Sequence, residues 1–203
     1  PNCKKEDNFM KRFVFSLAAI VALCIGFTQS AHAVLSMTIE DAIGGLADEV
    51  YNDGGTGSIT ITTASSPILA NYYGTGSIQS VISNYVSADN FANLISSSIN
   101  LNANSVFDDA VIVNLVGEYT QPVGAQGLAT TTINAATLVD ATFDATVVVS
   151  NTTLLTELDI ANLDTYTATD TVDLIRGIGD VYPIRHAFRL ASYAVGSDIG
   201  FDI

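Results

Sequence analysis

Residues 138–149, Leu-Val-Asp-Ala-Thr-Phe-Asp-Ala-Thr-Val-Val-Val, constrain this chain more than any other stretch. Val139, Ala141, Phe143, Ala145, Val147 and Val149 fall on one side of an extended backbone, and Asp140, Thr142, Asp144 and Thr146 on the other. The reason is that successive strand side chains point to opposite faces. The same residues fail as a helix, because an apolar set at every second position is smeared around a cylinder that turns once in about 3.6 residues. The stretch is therefore read as a half-buried strand.

The β pattern extends through the second half. Val111, Val113 and Leu115 alternate with Ile112, Asn114 and Val116, so residues 109–119 are expected to form a strand covered on both faces. Pro122 and Gly124 break it. Further strands are expected near 127–135, 138–149, 154–162, 165–175, 181–193 and 196–203, with turns at 150–151 and 177–180. Threonine and valine are dense there, and their branched Cβ atoms pack well on a pleated surface. Val123, Leu128, Ile133, Leu138, Phe143, Val148, Leu158 and Leu163 recur at multiples of five, broken by Thr153, which keeps a β-solenoid as an alternative.

The first half has a helical period. Ile39, Ile43, Leu46 and Val50 share a helix face after the capping candidates Ser36 and Thr38, and residues 52–55 end it. Ser58–Thr62 reads as a short strand and Gly74-Thr75-Gly76 as a turn. Ile78, Val81, Ile82 and Tyr85 form a second helical stripe, and Phe91, Leu94, Ile95 and Ile99 a third, parted by residues 87–90. The expected fold class is α+β to mainly β: an N-terminal helical segment packed on an antiparallel β-sandwich of about six to eight strands. A small β-barrel is the other alternative, since alternating strands and Ile199, Phe201 and Ile203 in alternation suit an outer-membrane barrel.

The start of the chain reads as a targeting signal. Met10 is followed by Lys11 and Arg12, an apolar run over 13–27, and Ala31-His32-Ala33 as a small-residue cleavage site. Residues 1–9 are read as upstream of the native start, 10–33 as a cleaved signal peptide, and 34–203 as a single secreted domain, helix-rich over 34–105 and β-rich over 106–203. Leu23, before Cys24, is too bulky for a lipoprotein signal. The expected location is extracellular, cell-surface or periplasmic.

Without the leader the chain has no lysine and no cysteine, and three arginines against nineteen acids give a formal net charge of −16. Such a surface repels phosphate backbones and anionic lipid, which disfavours nucleic-acid binding and membrane binding through basic patches. Thiolate chemistry is excluded. The one remaining histidine, His186, cannot build a multi-histidine zinc site, and a Ser-His-Asp triad would have to use it. Asp159, Asp164, Asp170, Asp173 and Asp180 are calcium candidates as hard oxygen donors, although their spacing matches no EF-hand loop. Otherwise no cofactor is expected. Asp140 and Asp144 share a strand face, which raises and does not sustain a glycosidase reading. Arg185, His186 and Arg189 form the basic cluster, a candidate anion or partner site set against salt bridging to surrounding acids. Asn151-Thr152-Thr153 matches a glycosylation sequon.

These features point to a non-enzymatic structural or adhesive protein of the cell surface, including a self-assembling filament or surface component. A small outer-membrane β-barrel and a secreted hydrolase using His186 are the other classes. Self-association is expected through the C-terminal strand, 196–203, if that strand leaves its sheet for a neighbour's open edge.

Overall fold

The computed structural model describes residues 33–86, 91–120, 125–137, 140–149, 152–155, 165–176 and 181–202. The alternation that singles out residues 138–149 is realised over Ala141–Val149, where Ala141, Phe143, Ala145, Val147 and Val149 are buried and the residues between them half-buried. In chain order the elements are β1 (Ala33–Asp41), β2 (Glu49–Asn52), β3 (Ser58–Thr62), α1 (Pro67–Tyr72), β4 (Tyr73–Val86) and β5 (Phe91–Ala103). There follow β6 (Phe107–Thr120), β7 (Ala125–Thr137), β8 (Ala141–Val149), β9 (Thr152–Leu155), β10 (Thr165–Arg176), β11 (Val181–Ser192) and β12 (Asp198–Asp202).

The strands form two six-stranded sheets, a front sheet β2-β1-β6-β11-β8-β9 and a back sheet β10-β7-β12-β5-β4-β3. Every pairing is antiparallel. The pairs β8–β9, β7–β10, β6–β11 and β5–β12 are nested in sequence and alternate between the sheets. That is a long hairpin wrapped over itself, the topology of a jelly roll. β1 and β2 widen the front sheet, and β3 and β4 the back one. Among the described residues the outer strands of both sheets pair on one side only, so the architecture is an antiparallel sandwich and neither a solenoid nor a closed barrel.

The core lies between the sheets. Phe201 of the back sheet sits 4.4 Å from Phe143 and 4.5 Å from Phe188 of the front sheet, measured between ring centroids. At Gly117 the sheets come close: a Cβ there would overlap the Ile95 Cδ1 atom opposite and crowd that of Ile82.

The helical segment is where the structure corrects the sequence reading. Residues expected to form the first helix are β1, a loop and β2. Leu35, Met37 and Ile39 are buried, whereas Ile43 and Val50, half of the helical stripe, are about two-thirds exposed at 64% and 65%. The Asp41 carboxylate ends β1 by accepting hydrogen bonds from the backbone N–H groups of Ile43, Gly45 and Leu46 at 3.2, 3.0 and 2.9 Å. A side chain that captures three amides this way competes directly with helix. Residues 78–86 and 91–99, expected as two helices, are instead paired antiparallel strands of β4 and β5. Gly74 to Gly76 lie at a register shift in β4 and not in a turn; at Gly76, φ is +132° and a Cβ would strike the backbone of Asn100 and Leu101.

The one helix described, α1, is short and locally specified. Ser66 caps it by accepting from the Leu69 N–H at 3.0 Å, and Pro67 occupies the first turn. Glu49 Oε1 accepts from the Ile68 N–H at 2.8 Å, tying the helix to β2. Tyr51 Oη donates to the other oxygen of Glu49 at 2.6 Å, and burial together with that carboxylate pushes the phenol up to about 12.

Candidate functional site

The outward-facing residues of the front sheet are set in register by strand pairing. One row runs Glu40, Ile112, Arg189 and Asp144 across β1, β6, β11 and β8. The next runs Thr38, Asn114, Ala187 and Thr146. Glu40 and Asn114 together with Ile112, Arg189, Asp144, Ala187 and Thr146 line a groove of about 300 Å³.

Its floor is apolar at Ile112 and Ala187 and its walls are polar. Asn114 Nδ2 donates to Glu40 Oε1 at 2.7 Å, which fixes the amide's orientation. Arg189 stands at one end, its Nη1 4.0 Å from Asp109 Oδ2, with both side chains more than half exposed. An ion pair that long and that exposed contributes little to stability. Asp109 adopts φ +43° beside the register shift of β6 against β11, a left-handed conformation that aspartate tolerates better than most residues. The shift lets Phe107 and Ala110 both enter the core while Asp109 stays outside at the groove's rim.

The structure divides the predicted basic cluster. Arg185 and Arg189 are on the outer face and exposed, whereas His186 points into the core between the cross-strand neighbours Leu115 and Val147. Only 3% of His186 is accessible, its ring lies 6.1 Å from Phe188, and Nδ1 has no hydrogen-bond partner. Burial pushes the imidazole down to about 4. It is a neutral core residue that the groove cannot reach, which removes it from any anion site.

The calcium candidates do not converge where they are described. Asp170 and Asp173 are exposed on β10 and, three residues apart, point to opposite faces of it. Asp170 Oδ1 accepts from the Thr171 N–H at 2.8 Å. Asp159, Asp164, Asp180 and the sequon residue Asn151 lie outside the described residues. Among the described residues no three histidine, cysteine or acidic groups come together. Asp140 sits before β8 at φ +37°, its carbonyl accepting from the Tyr193 N–H at 2.6 Å, and takes no part in the groove.

The groove was not legible as a unit in the sequence, because its walls come from four strands spread over residues 40–189. The signal available was the polar side of β8: Asp144 and Thr146 face this groove.

No protein-family model and no curated protein matches the chain. Among solved structures it is similar to a native family 35 carbohydrate-binding module from Clostridium thermocellum, at 10% identity and TM-score 0.25, covering 71% of this chain and 95% of that one. It is similar also to the C-terminal CBM6 of LamC, a marine laminarinase from Zobellia galactanivorans, at 13% identity and TM-score 0.22, covering 71% and 97%. A third likeness is to infectious bursal disease virus, Gx strain, at 7% identity and TM-score 0.18, covering 87% of this chain and 52% of that one. Likeness at this level has no bearing on what the chain binds or does.

Proposed function

We propose that the chain is a secreted, non-catalytic adhesive or structural protein that meets a neutral, polyhydroxylated surface, a glycan, through the outer face of the front sheet. The observation that carries this reading is the groove itself, in which the oriented Asn114–Glu40 pair, Asp144, Thr146 and an exposed Arg189 surround an apolar floor. Carboxylates accept from sugar hydroxyls while amide and guanidinium groups donate to them, so a mixed set of this kind suits adjacent hydroxyls. An anionic target is disfavoured by the acid excess. The groove's size, about 300 Å³, is at the small end of ligand sites and fits one or two sugar rings better than a cofactor.

The groove also reaches across the sheet. Glu40 and Asp144 stand at opposite ends of a four-strand row. Three inter-strand gaps separate their Cα atoms by roughly 14 Å.

The test is calorimetric titration of the purified protein with neutral oligosaccharides, alongside Asn114→Ala and Asp144→Ala variants whose folding is checked by circular dichroism. Losing one hydrogen bond to a charged group should weaken binding about tenfold or more. Absence of binding, or binding that both variants leave intact, would refute the groove as the site.

Self-association belongs to the same reading. Through the C-terminal strand it requires β12 to leave β5 and β7, which flank it on both sides in the back sheet.

A further inference from the structure

We infer that the chain forms a closed dimer by pairing β10 with β10 of a second copy, antiparallel about a twofold axis at Thr169. This rests on the self-association just proposed and moves the contact from β12 to an edge that no described strand pairs.

An outer strand exposes a row of unpaired N–H and C=O groups, and proteins blunt such edges with short strands, lysine, proline, bulges or an inward-pointing charge. Three of the four outer strands are blunted. β2 and β9 have four residues each, β9 with a register shift, and β3 has five. β10 is different: it runs twelve residues, Thr165–Arg176, in unbroken register with β7, and contains no proline, lysine or glycine. Among the described residues nothing pairs its outer side.

The outer face of β10 is a threonine ladder already paired on one side. Thr171 and Thr130 hydroxyls lie 3.1 Å apart, Thr169 and Thr132 3.0 Å apart, and Thr167 donates to Asn134 at 3.0 Å. A second copy can continue this ladder in only a few registers. Centring the twofold on Asp170 or Asp173 sets two carboxylates directly opposite each other, which is destabilising. Centring it on Thr171 leaves one threonine pair, Thr171 with itself, because Asp173 then faces Thr169, and centring it on Ala168 shortens the pairing to Thr165–Thr171. Centred on Thr169, that residue faces itself, Thr167 faces Thr171, Thr165 faces Asp173, Tyr166 faces Val172 and Ala168 faces Asp170. On the outer face Thr167 and Thr171 hydroxyls meet, Thr165 meets the Asp173 carboxylate as a donor, and no acid meets an acid.

The twofold uses the one long edge, so the product is a dimer with a continuous twelve-stranded back sheet and not a filament. Asp170 is the remaining check on the contact. It follows Ala168 and precedes Val172 on the inward side of the edge, where a charge opposes pairing.

The test uses the full chain with Cys3→Ser and Cys24→Ser as the background, which leaves it without thiols. Thr169→Cys should cross-link to itself with oxidised glutathione, because facing residues at a twofold lie within disulfide reach. Thr60→Cys, on β3 at the far edge, should not. Sedimentation velocity should show a concentration-dependent dimer that Thr169→Lys weakens at least tenfold and Asp170→Asn tightens severalfold. A monomer at every concentration, in all variants, would sink both the dimer and the self-association reading. Association that ignores Thr169→Lys and gives no Thr169→Cys cross-link, or growth into filaments, would overturn the β10 assignment alone.

Discussion

His186 shows most plainly what one residue does in this fold. The alternation of β11 puts it inward, and the core has no partner for Nδ1, so the ring is held neutral with its pKa depressed to about 4. An unfolded imidazole titrates near 6.5. Between these values the unfolded chain takes up a proton that the folded chain refuses. The neutral ring's contribution is therefore complete above about pH 6.5 and is lost as the pH falls toward 4, with no further change from this group below that. The loss is about 3 kcal/mol at most, from some 1.4 kcal/mol per unit. Urea midpoints followed from pH 7 to 4.5 should fall, and His186→Leu should flatten the fall; equal slopes in both proteins would show that the histidine is not held neutral. A second acid step belongs to Asp41. Burial raises its carboxyl, but hydrogen bonds from Tyr72 and from the backbone of Leu46, Ile43 and Gly45 outweigh this and hold it below its ordinary 3.8. Its contribution is present above that value and is lost below it, so the two steps occur in different pH ranges.

The elements show which patterns can be read from sequence and which cannot. β8 was legible because each buried position is apolar and each outward one polar or small over most of its length. β4 and β5 were not, because serine fills one inward position on each strand. Ile78, Ser80 and Ile82 point inward on β4, and Ile95, Ser97, Ile99 and Leu101 on β5. Removing the serines from an apolar count leaves Ile78, Val81, Ile82 and Tyr85, which happen to match a helical period, although Val81 is exposed. The serines are tolerated because they satisfy each other: Ser80 Oγ donates to Ser97 Oγ at 3.0 Å inside the core. A paired buried hydroxyl adds little net stability, whereas an orphaned one costs about 1–3 kcal/mol. Ser80→Ala and Ser97→Ala should each destabilise by that amount in chemical denaturation. The double variant should lose clearly less than the sum, and strict additivity would mean that the pair is not coupled. The same reasoning explains the first lost helix. There the decisive interaction is a side chain capturing backbone amides at Asp41, which hydrophobic periodicity does not register. The groove was harder still, since strand order is what brings Glu40 and Asp144 onto one surface.

At the scale of the whole molecule the wrapped hairpin dictates an order of assembly. β4 and β5 are separated by four residues and pair as a local hairpin. β5 and β12 pair as well, yet Asn102 and its partner Asp198 are 96 residues apart. Closing that contact early would pay the loop entropy of those 96 residues before any return, and folds dominated by such pairings refold in milliseconds to seconds. β12 should therefore dock late, on a sheet whose neighbouring strands are already in place. Two conservative substitutions separate the cases, each expected to cost about 0.5–1.5 kcal/mol. Ile82→Val removes a methyl group from the local hairpin, where Ile82 pairs with Ile95. Ile199→Val removes one from β12, where Ile199 pairs with Leu101 and Thr137. Stopped-flow refolding should find folding slowed by Ile82→Val. Ile199→Val should leave the folding rate nearly unchanged and speed unfolding instead. The opposite assignment would mean that the long hairpin closes first and the local one forms on it. A strand that docks last is also the one most easily left out, so this order bears on self-association. If β12 is the late strand, incompletely folded molecules expose its vacant place in the back sheet, and a β12-mediated assembly would appear only during refolding. The β10 dimer would form from folded protein. Adding native protein to a refolding mixture therefore separates the two routes, because only folded molecules present an intact β10 edge.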